Sequence, residues 1–471
     1  MIASMRTLKI LVGILGGLAL GLAGAMLGLL IASGQFLGSS PEELREDLDM
    51  LFDTIETVHP APYTHTSFEE LQQRRDAVEA QLTESLDSVE FYRLAAPLVA
   101  ALGDGHTSIS PPSSAYSAST WLGDEVFPLE LEFEGERALV RRAPVDSDVP
   151  EGAELLRING RPARERLAGP LSLVSGERMV WRRAYLTSRL PQFWWLAHGE
   201  VEELRCELRS PKGETLIREI EGVHMLGTLG AEMRRAQPFG IELLEDRGAL
   251  LTVGSFENGL GFESFIRQSF QKIRDAGVRW LIIDLRENWG GNSALGDELL
   301  QYLTDRPFRQ YSRIRLKVSP QIRPRYPGHI PDHVSDGEIH DFEVPLIQPR
   351  AEPLRFSGKL YVLIGPRVFS SGTAFASAIK DLGLGTLVGE ETGGAASCFG
   401  DLYSFELPSS GLTANCSHKW FFRPSGENDG HGVRPDIEAM ASRALGAAME
   451  AATTAPPAPT RMKAGPPEST D

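Results

Sequence analysis

Two serines stand where an apolar, strand-like run gives way to a helical stretch, in Gly365-Pro-Arg-Val-Phe-Ser-Ser-Gly-Thr373. A serine held at such a turn exposes its oxygen and leaves the following N–H unused, which is the geometry of an acyl-transfer nucleophile whose own turn supplies part of an oxyanion hole. The alternative is that Ser370 or Ser371 only caps the helix. A second loop, Leu281-Ile-Ile-Asp-Leu-Arg-Glu-Asn-Trp-Gly-Gly-Asn292, also leaves an apolar run and ends in a glycine pair before a helix. Without a Cβ, backbone N–H groups there can approach an anion closely. A serine hydroxyl needs a base. Among ten histidines, His106 stands out because Leu102-Gly-Asp-Gly-His-Thr-Ser108 sets it in a glycine-flanked loop after a helix, where flexible backbone can aim the ring. Taken alone, a loop histidine is usually only solvated.

Other chemistries find less support. His329, His333 and His340 lie among Asp332, Asp336 and Glu338 and could ligate a metal. No helix runs through Pro327 and Pro331, so their spacing does not align ligands, and the expectation is no metal and a mobile insertion between Arg315 and Arg350. No phosphate-binding or dinucleotide fingerprint occurs, and no cofactor is implied.

The elements that must position these loops fall in the region from Ile241 to Ala439. Apolar runs at Ala249 to Val253, Trp280 to Leu285, Lys359 to Ile364 and Thr386 to Val388 alternate with helical stretches at Gly261 to Ala276, Leu295 to Leu303 and Thr373 to Leu382. This alternation predicts an α/β domain with a mostly parallel sheet covered by helices, its chemistry at the loops leaving the strands. Ahead of it, Ser40, Pro41 and Glu43 form a helix start, with Leu44, Leu48, Leu51, Phe52, Ile55 and Val58 on one face. Further helices are expected from near Ser67 and from about Ser88 to Leu102. From Phe127 to about Val223 the period shortens to two, with strands at Phe127 to Phe133 and Ala138 to Arg142 and a tight Asn159-Gly160 turn. The aromatics Trp181, Phe193, Trp194 and Trp195 suit a buried helix better than a binding lid. The expected divisions are 1–37, a membrane anchor or signal segment; 38–120, helical; 121–235, β-rich; 236–445, catalytic; and 446–471, a disordered tail rich in Ala, Thr and Pro.

The 471 residues carry a net charge of −17, which makes nucleic acid a poor partner. The run from Ile10 to Ala32 has no charged residue and follows Arg6 and Lys9. As a helix it can cross roughly 30 Å of hydrocarbon. It is read as a single-pass anchor with the rest of the chain on the outer, periplasmic side, the alternative being a cleaved signal peptide and secretion. Three cysteines are too few for a disulfide scaffold; Cys398 and Cys416 could pair, or all three could be buried thiols.

Residues Leu102 to Thr107 resemble the L-G-D-G-H-T signature of the C-terminal processing (tail-specific) serine peptidases and the related tricorn-protease core. Ile283 to Gly291 is similar to that family's I-D-L-R-x-N-x-G-G, and Val368 to Ala376 to its nucleophile turn. Gly389 to Gly394 resembles its G-E-x-T-x-G, and Gly432 to Asp436 its G-V-x-P-D. The resemblance implies a crotonase-like catalytic core, a helical N-terminal domain, and hydrolysis of peptide bonds in a peptide or unfolded protein. The segment Pro150 to Pro162 resembles the hairpin of PDZ-like domains, which take a peptide as an added strand. By resemblance Ser370 is the nucleophile, with oxyanion donors from Ser371 and from Gly290 or Gly291. The tail-specific branch uses a lysine where this chain reads Thr392-Gly-Gly-Ala-Ala396, so a Ser/Lys dyad is excluded there. The tricorn branch uses the histidine as base, which points to His106, oriented by an acid at Asp429 with Glu427 as substitute. Thr373 replaces the family's glutamate. The rival functions are a non-catalytic peptide- or ligand-binding protein on the same fold and an esterase.

Overall fold

The computed structural model describes residues 38–224, 238–257 and 261–454. They divide into two compact units. The first runs to Arg235 and adds Ile314–Phe342 and Phe399–Phe421, and the second takes Ala236–Arg313, Glu343–Cys398 and the chain from Phe422. The expected anchor at 10–32 lies outside the described residues, as do residues 455–471. Among the described residues no helix is long and apolar enough to cross a membrane.

Helix α1 (Pro41–Val58) begins at Ser40, whose hydroxyl accepts from the Glu43 N–H while the Glu43 carboxylate accepts from the Ser40 N–H. Leu44, Leu48, Leu51, Phe52, Ile55 and Val58 are all buried, each contributing about 1.5–3 kcal/mol of apolar transfer. Helices α2 (Phe68–Glu79) and α3 (Ser88–Ala100) are capped by Ser67 and Asp87. Then come β1 (Ser108–Ile109), α4 (Ser113–Leu122), β2 (Glu130–Glu134), β3 (Arg137–Arg142), β4 (Glu154–Ile158) and β5 (Arg161–Pro162). After them follow α5 (Ala163–Ser172), α6 (Met179–Ser188), α7 (Leu190–His198), β6 (Glu203–Arg209) and β7 (Thr215–Glu221). The sheet β2-β3-β4-β6-β7 is antiparallel, with β5 paired to β4. Asn159 and Gly160, at φ +49° and +77°, make the two-residue turn between β4 and β5 that left-handed backbone permits. Trp181, Phe193 and Trp194 are buried on α6 and α7.

The second unit starts with β8 (Phe239–Leu244), β9 (Gly248–Val253), α8 (Phe262–Asp275), β10 (Trp280–Asp284) and α9 (Ser293–Gln301). The chain returns to the first unit for β11 (Arg313–Lys317) and β12 (Ile339–Glu343), and to the second for β13 (Lys359–Ile364), α10 (Ser371–Asp381) and β14 (Thr386–Gly389). It crosses again for β15 (Cys398–Glu406) and β16 (Thr413–Phe422), and ends in β17 (Ile437–Glu438) and α11 (Ala444–Thr454). The sheet of the second unit has the order β17-β14-β13-β10-β9-β8, parallel except for β8. On one face Leu251, Leu281, Ile283, Val362 and Leu387 pack with residues of α8, α9 and α10. On the other, Trp280, Ile282, Tyr361, Leu363 and Val388 pack with Ala444, Ala448 and Ala452 of α11.

Three expectations are corrected. The tail does not lose its order at residue 446: α11 extends to Thr454, and its alanines at four-residue spacing form a smooth face that covers the sheet. The stretch 236–445 is not one domain, because β1 pairs with β16 and, through β16, joins β11 and β12 in a sheet of the first unit. The segment between Arg315 and Arg350, expected to be a mobile insertion, therefore supplies strands, and it buries Val318, Ile322, Ile330 and Val334. None of the three cysteines forms a disulfide, and Cys206 and Cys416 are buried. Long-range polar contacts close the first unit: Asp47 of α1, fully buried, accepts from the Ser409 N–H (3.0 Å), the Ser410 N–H (2.8 Å) and the Ser410 hydroxyl (2.6 Å).

Candidate active site

In the second unit, β10 and β13 are parallel neighbours, with Asp284 opposite Leu363. Their C-terminal loops, 285–292 and 365–370, therefore emerge side by side. The second loop turns into α10 through Ser370, held at φ +51° and ψ −125°. That conformation is one glycine adopts readily and serine does not, at a cost of about 1–3 kcal/mol. The Ser370 side chain makes no capping hydrogen bond to α10, so the helix-cap reading does not hold for it. The Ser371 hydroxyl is used locally, donating to the Gly291 carbonyl at 2.6 Å.

The glycine pair lies against this turn. A Cβ at Gly290, φ +106°, would fall 2.7 Å from the Ser370 Cβ and 3.0 Å from the Ser371 nitrogen. One at Gly291, φ +125°, would fall 2.4 Å from the Phe256 carbonyl. A side chain at 290 would displace the serine turn or cover the Ser371 N–H, and one at 291 would push away the backbone at Phe256. The Gly290 N–H donates to Asn288 Oδ1 at 2.9 Å, while the Gly291 and Ser371 N–H groups have no hydrogen-bond partner among the described residues. Of the two glycines, Gly291 is thus the one with a donor to offer. The Ser371 N–H is the first of the eleven-residue helix α10, where the backbone dipole favours negative charge.

Asn288 is the residue that sequence reasoning passed over. It is fully buried. Its Oδ1 accepts from Gly290, its Nδ2 donates to the Val253 carbonyl (2.9 Å), and its carbonyl accepts from the Phe369 N–H (3.1 Å), joining the ends of β9, β10 and β13. The signal was an amide two residues ahead of a glycine pair. Asp429 lies in the same unit on an exposed turn, its carboxylate accepting from the His431 N–H at 3.0 Å. That bond, first among its causes, lowers its pKa. Glu427 is exposed on the same turn. Arg423, whose Nε and Nη2 donate to Asp381 at 3.0 and 2.6 Å, fixes the start of this turn to α10.

His106 belongs to the first unit, in the loop between α3 and β1. Asp104, 1% exposed, organises that loop. It accepts from the His106 N–H (2.8 Å), the Thr107 hydroxyl (2.5 Å) and His59 Nε2 (3.1 Å). His59 Nδ1 in turn accepts from the Ala61 N–H at 3.1 Å, so its proton is on Nε2. Burial pushes Asp104 up, but the hydrogen bond from His59 and the nearby imidazoles of His59 and His106 outweigh it and hold Asp104 well below the usual carboxylate range. For His106, burial lowers the pKa and Asp104 and Asp401 offset it only in part. Its imidazole is therefore neutral at pH 7, as a proton acceptor must be.

A strained serine at a strand-to-helix turn with two unused N–H groups beside it offers a nucleophile and an oxyanion site. The sequence profile of Peptidase family S41 matches residues 247–439. This segment is a peptidase family S41 domain. The chain is accordingly a serine-type peptidase. Its fold is similar to that of mature CPAF complexed with lactacystin, at 16% identity and a TM-score of 0.61, covering 86% of this chain and 95% of that one. A point mutant of CPAF aligns at 14% identity and a TM-score of 0.62, covering 86% of this chain and 94% of that one. No curated protein matches the chain in sequence. In this S41 domain Thr373, at the family's glutamate position, is buried and donates to the Val368 carbonyl at 3.1 Å, tying α10 to the serine loop. The histidines at 329, 333 and 340 do not converge: the donor atoms that come together among the described residues are those of Asp104, His106 and Glu177.

Proposed function

We propose that the protein hydrolyses peptide bonds through an acyl-enzyme on Ser370. The hydroxyl gives its proton to His106 as it attacks the carbonyl carbon. The tetrahedral oxyanion is held by the Ser371 and Gly291 N–H groups, and His106 returns the proton to the leaving amine. Asp429, with Glu427 as substitute, is proposed as the acid that fixes the imidazole tautomer. The observation that carries the reading is the backbone of Ser370, strained, uncapped and packed on the glycine pair. Strain of this kind persists only where surrounding structure imposes it. The parallel sheet buried on both faces supports a crotonase-like core. The antiparallel sheet of β2 to β7, with its Asn159-Gly160 hairpin, supports a PDZ-like segment that receives the peptide. The run from Ile10 to Ala32 supports an extracytoplasmic site, periplasmic and tethered to the membrane.

A serine-directed fluorophosphonate, followed by peptide mapping, tests the chemistry. Label is expected on Ser370 in the wild type and on nothing in Ser370→Ala. Ser370→Ala and His106→Ala should each lose hydrolysis of an unstructured peptide. Wild-type turnover in both variants would remove the assignment. Protease protection of intact and opened cells tests the location.

A further inference from the structure

Within the first unit a second carboxyl faces His106. Glu177 sits in the turn between α5 and α6, and neither of its buried carboxyl oxygens has a hydrogen-bond partner among the described residues. One oxygen of Glu177, one of Asp104 and a ring nitrogen of His106 all lie within 4.8 Å of one another. Asp104 is committed to His59, Thr107 and the backbone of its own loop. Glu177 has no such side-chain partner; the N–H groups that face its carboxyl are those of Gly105, beside His106, and of Glu177 itself.

We propose that Glu177 is a positioning residue of this peptidase, a carboxyl that steadies the imidazole of His106 and sets its strength as a base. The inference rests on the reading of His106 as general base. Two carboxylates this close in a water-poor site cannot both ionise easily. Burial first, and then the charge of Asp104, push Glu177 up to about 8. At neutral pH it is therefore a neutral acid, able both to donate and to accept a hydrogen bond. The other charged or titratable groups facing this cluster include Arg178 beside Glu177, His59, His65 and the Cys416 thiol of β16 around Asp104, and Asp401 of β15 toward His106.

The sign follows. Below about pH 8 His106 feels Asp104 and Asp401 alone. Above it, a further negative charge stabilises the imidazolium and strengthens the base. Acylation of Ser370 should then rise with pH in two steps, the first as His106 loses its proton below about pH 6.5, the second as Glu177 loses its own.

The test is the second-order rate of labelling of the full-length protein by an alkyl fluorophosphonate between pH 5 and pH 10. The wild type should show a second rise of about three- to tenfold through pH 8. Glu177→Gln, which copies the neutral acid in shape, should keep the first step and lose the second. Glu177→Ala should label about tenfold more slowly at pH 7. A purely structural Glu177 would change melting temperature but leave the pH profile in place, so superimposable wild-type and Glu177→Gln profiles overturn the proposal. His106→Ala separates the two readings. If it does not label while those profiles superimpose, only the role of Glu177 fails; if it labels at the wild-type rate, the general-base reading fails and Glu177 with it.

Discussion

Asn288→Ala is the sharpest probe of how the second unit builds its nucleophile turn. The substitution removes two hydrogen bonds of 2.9 Å, from the Gly290 N–H and to the Val253 carbonyl, at a site with no exposure to water. Each leaves a buried backbone group without its partner, at about 1–3 kcal/mol apiece, so the expected loss of stability is about 2–6 kcal/mol. The same change releases the loop bearing Gly290 and Gly291, and a donor displaced from an oxyanion hole lowers turnover about 10²- to 10³-fold. Stability is read from the urea midpoint by tryptophan fluorescence, and the site from the fluorophosphonate labelling rate. Asn288→Asp keeps an acceptor for Gly290 but turns a second oxygen, and a negative charge, toward the Val253 carbonyl in a site closed to water, so it should label no faster than the alanine variant. An alanine variant that unfolds within about 0.5 kcal/mol of wild type and labels at the same rate would refute the claim that Asn288 holds the loop.

Four further outcomes are expected. Ser370→Gly should abolish labelling yet raise the melting temperature, since glycine relieves backbone strain worth about 1 kcal/mol or more; an unchanged or lower melting temperature would show that the turn is not strained. Gly290→Ala should block labelling, because its Cβ has no room beside Ser370 and Ser371, and full reactivity would mean the loop yields freely. Asp47→Ala should destabilise the first unit by about 2–4 kcal/mol, as three donors to a buried carboxylate lose their acceptor; a near-neutral effect in urea unfolding would contradict this. Burial lowers both His106 and His418, the latter to about 4. The unfolded chain thus takes up protons below about pH 6.5 that the folded chain refuses. Stability should be full above that value and fall as pH drops toward 4, by up to about 1.4 kcal/mol per pH unit for each histidine. His418→Asn should flatten part of that slope, and identical slopes would exclude its contribution.

What could be read in advance was whatever local spacing determines. The capping box at Ser40, the hairpin turn at Asn159-Gly160 and the parallel strands of the second unit depend on neighbouring residues and were legible. The serine turn and the glycine loop could each be read, but their pairing rested on the family resemblance, since the adjacency of β10 and β13 is set by the fold. Three features were not. Helix α11 reads as a low-complexity tail because alanine signals packing only when a sheet face is there to receive it. The transfer of β11, β12, β15 and β16 to the first unit depends on strand pairing with β1, far away in sequence. Glu177 carries no motif at all, and only the fold brings it to His106.

The first unit is written in three separate stretches of sequence, and this sets the order in which it can be made. The donors that satisfy Asp47 lie 362 and 363 residues further along. At roughly 5–20 residues per second, a ribosome needs on the order of 20–70 s to deliver them. Through that interval α1 carries a carboxylate whose acceptor duty is unmet, and β1 has no strand to pair with. The second unit's β9 and β10 are complete and adjacent long before. Synthesis therefore favours closing the second unit's strands early and the N-terminal unit late, so a chain cut short before residue 399 would leave its oldest segment unfinished.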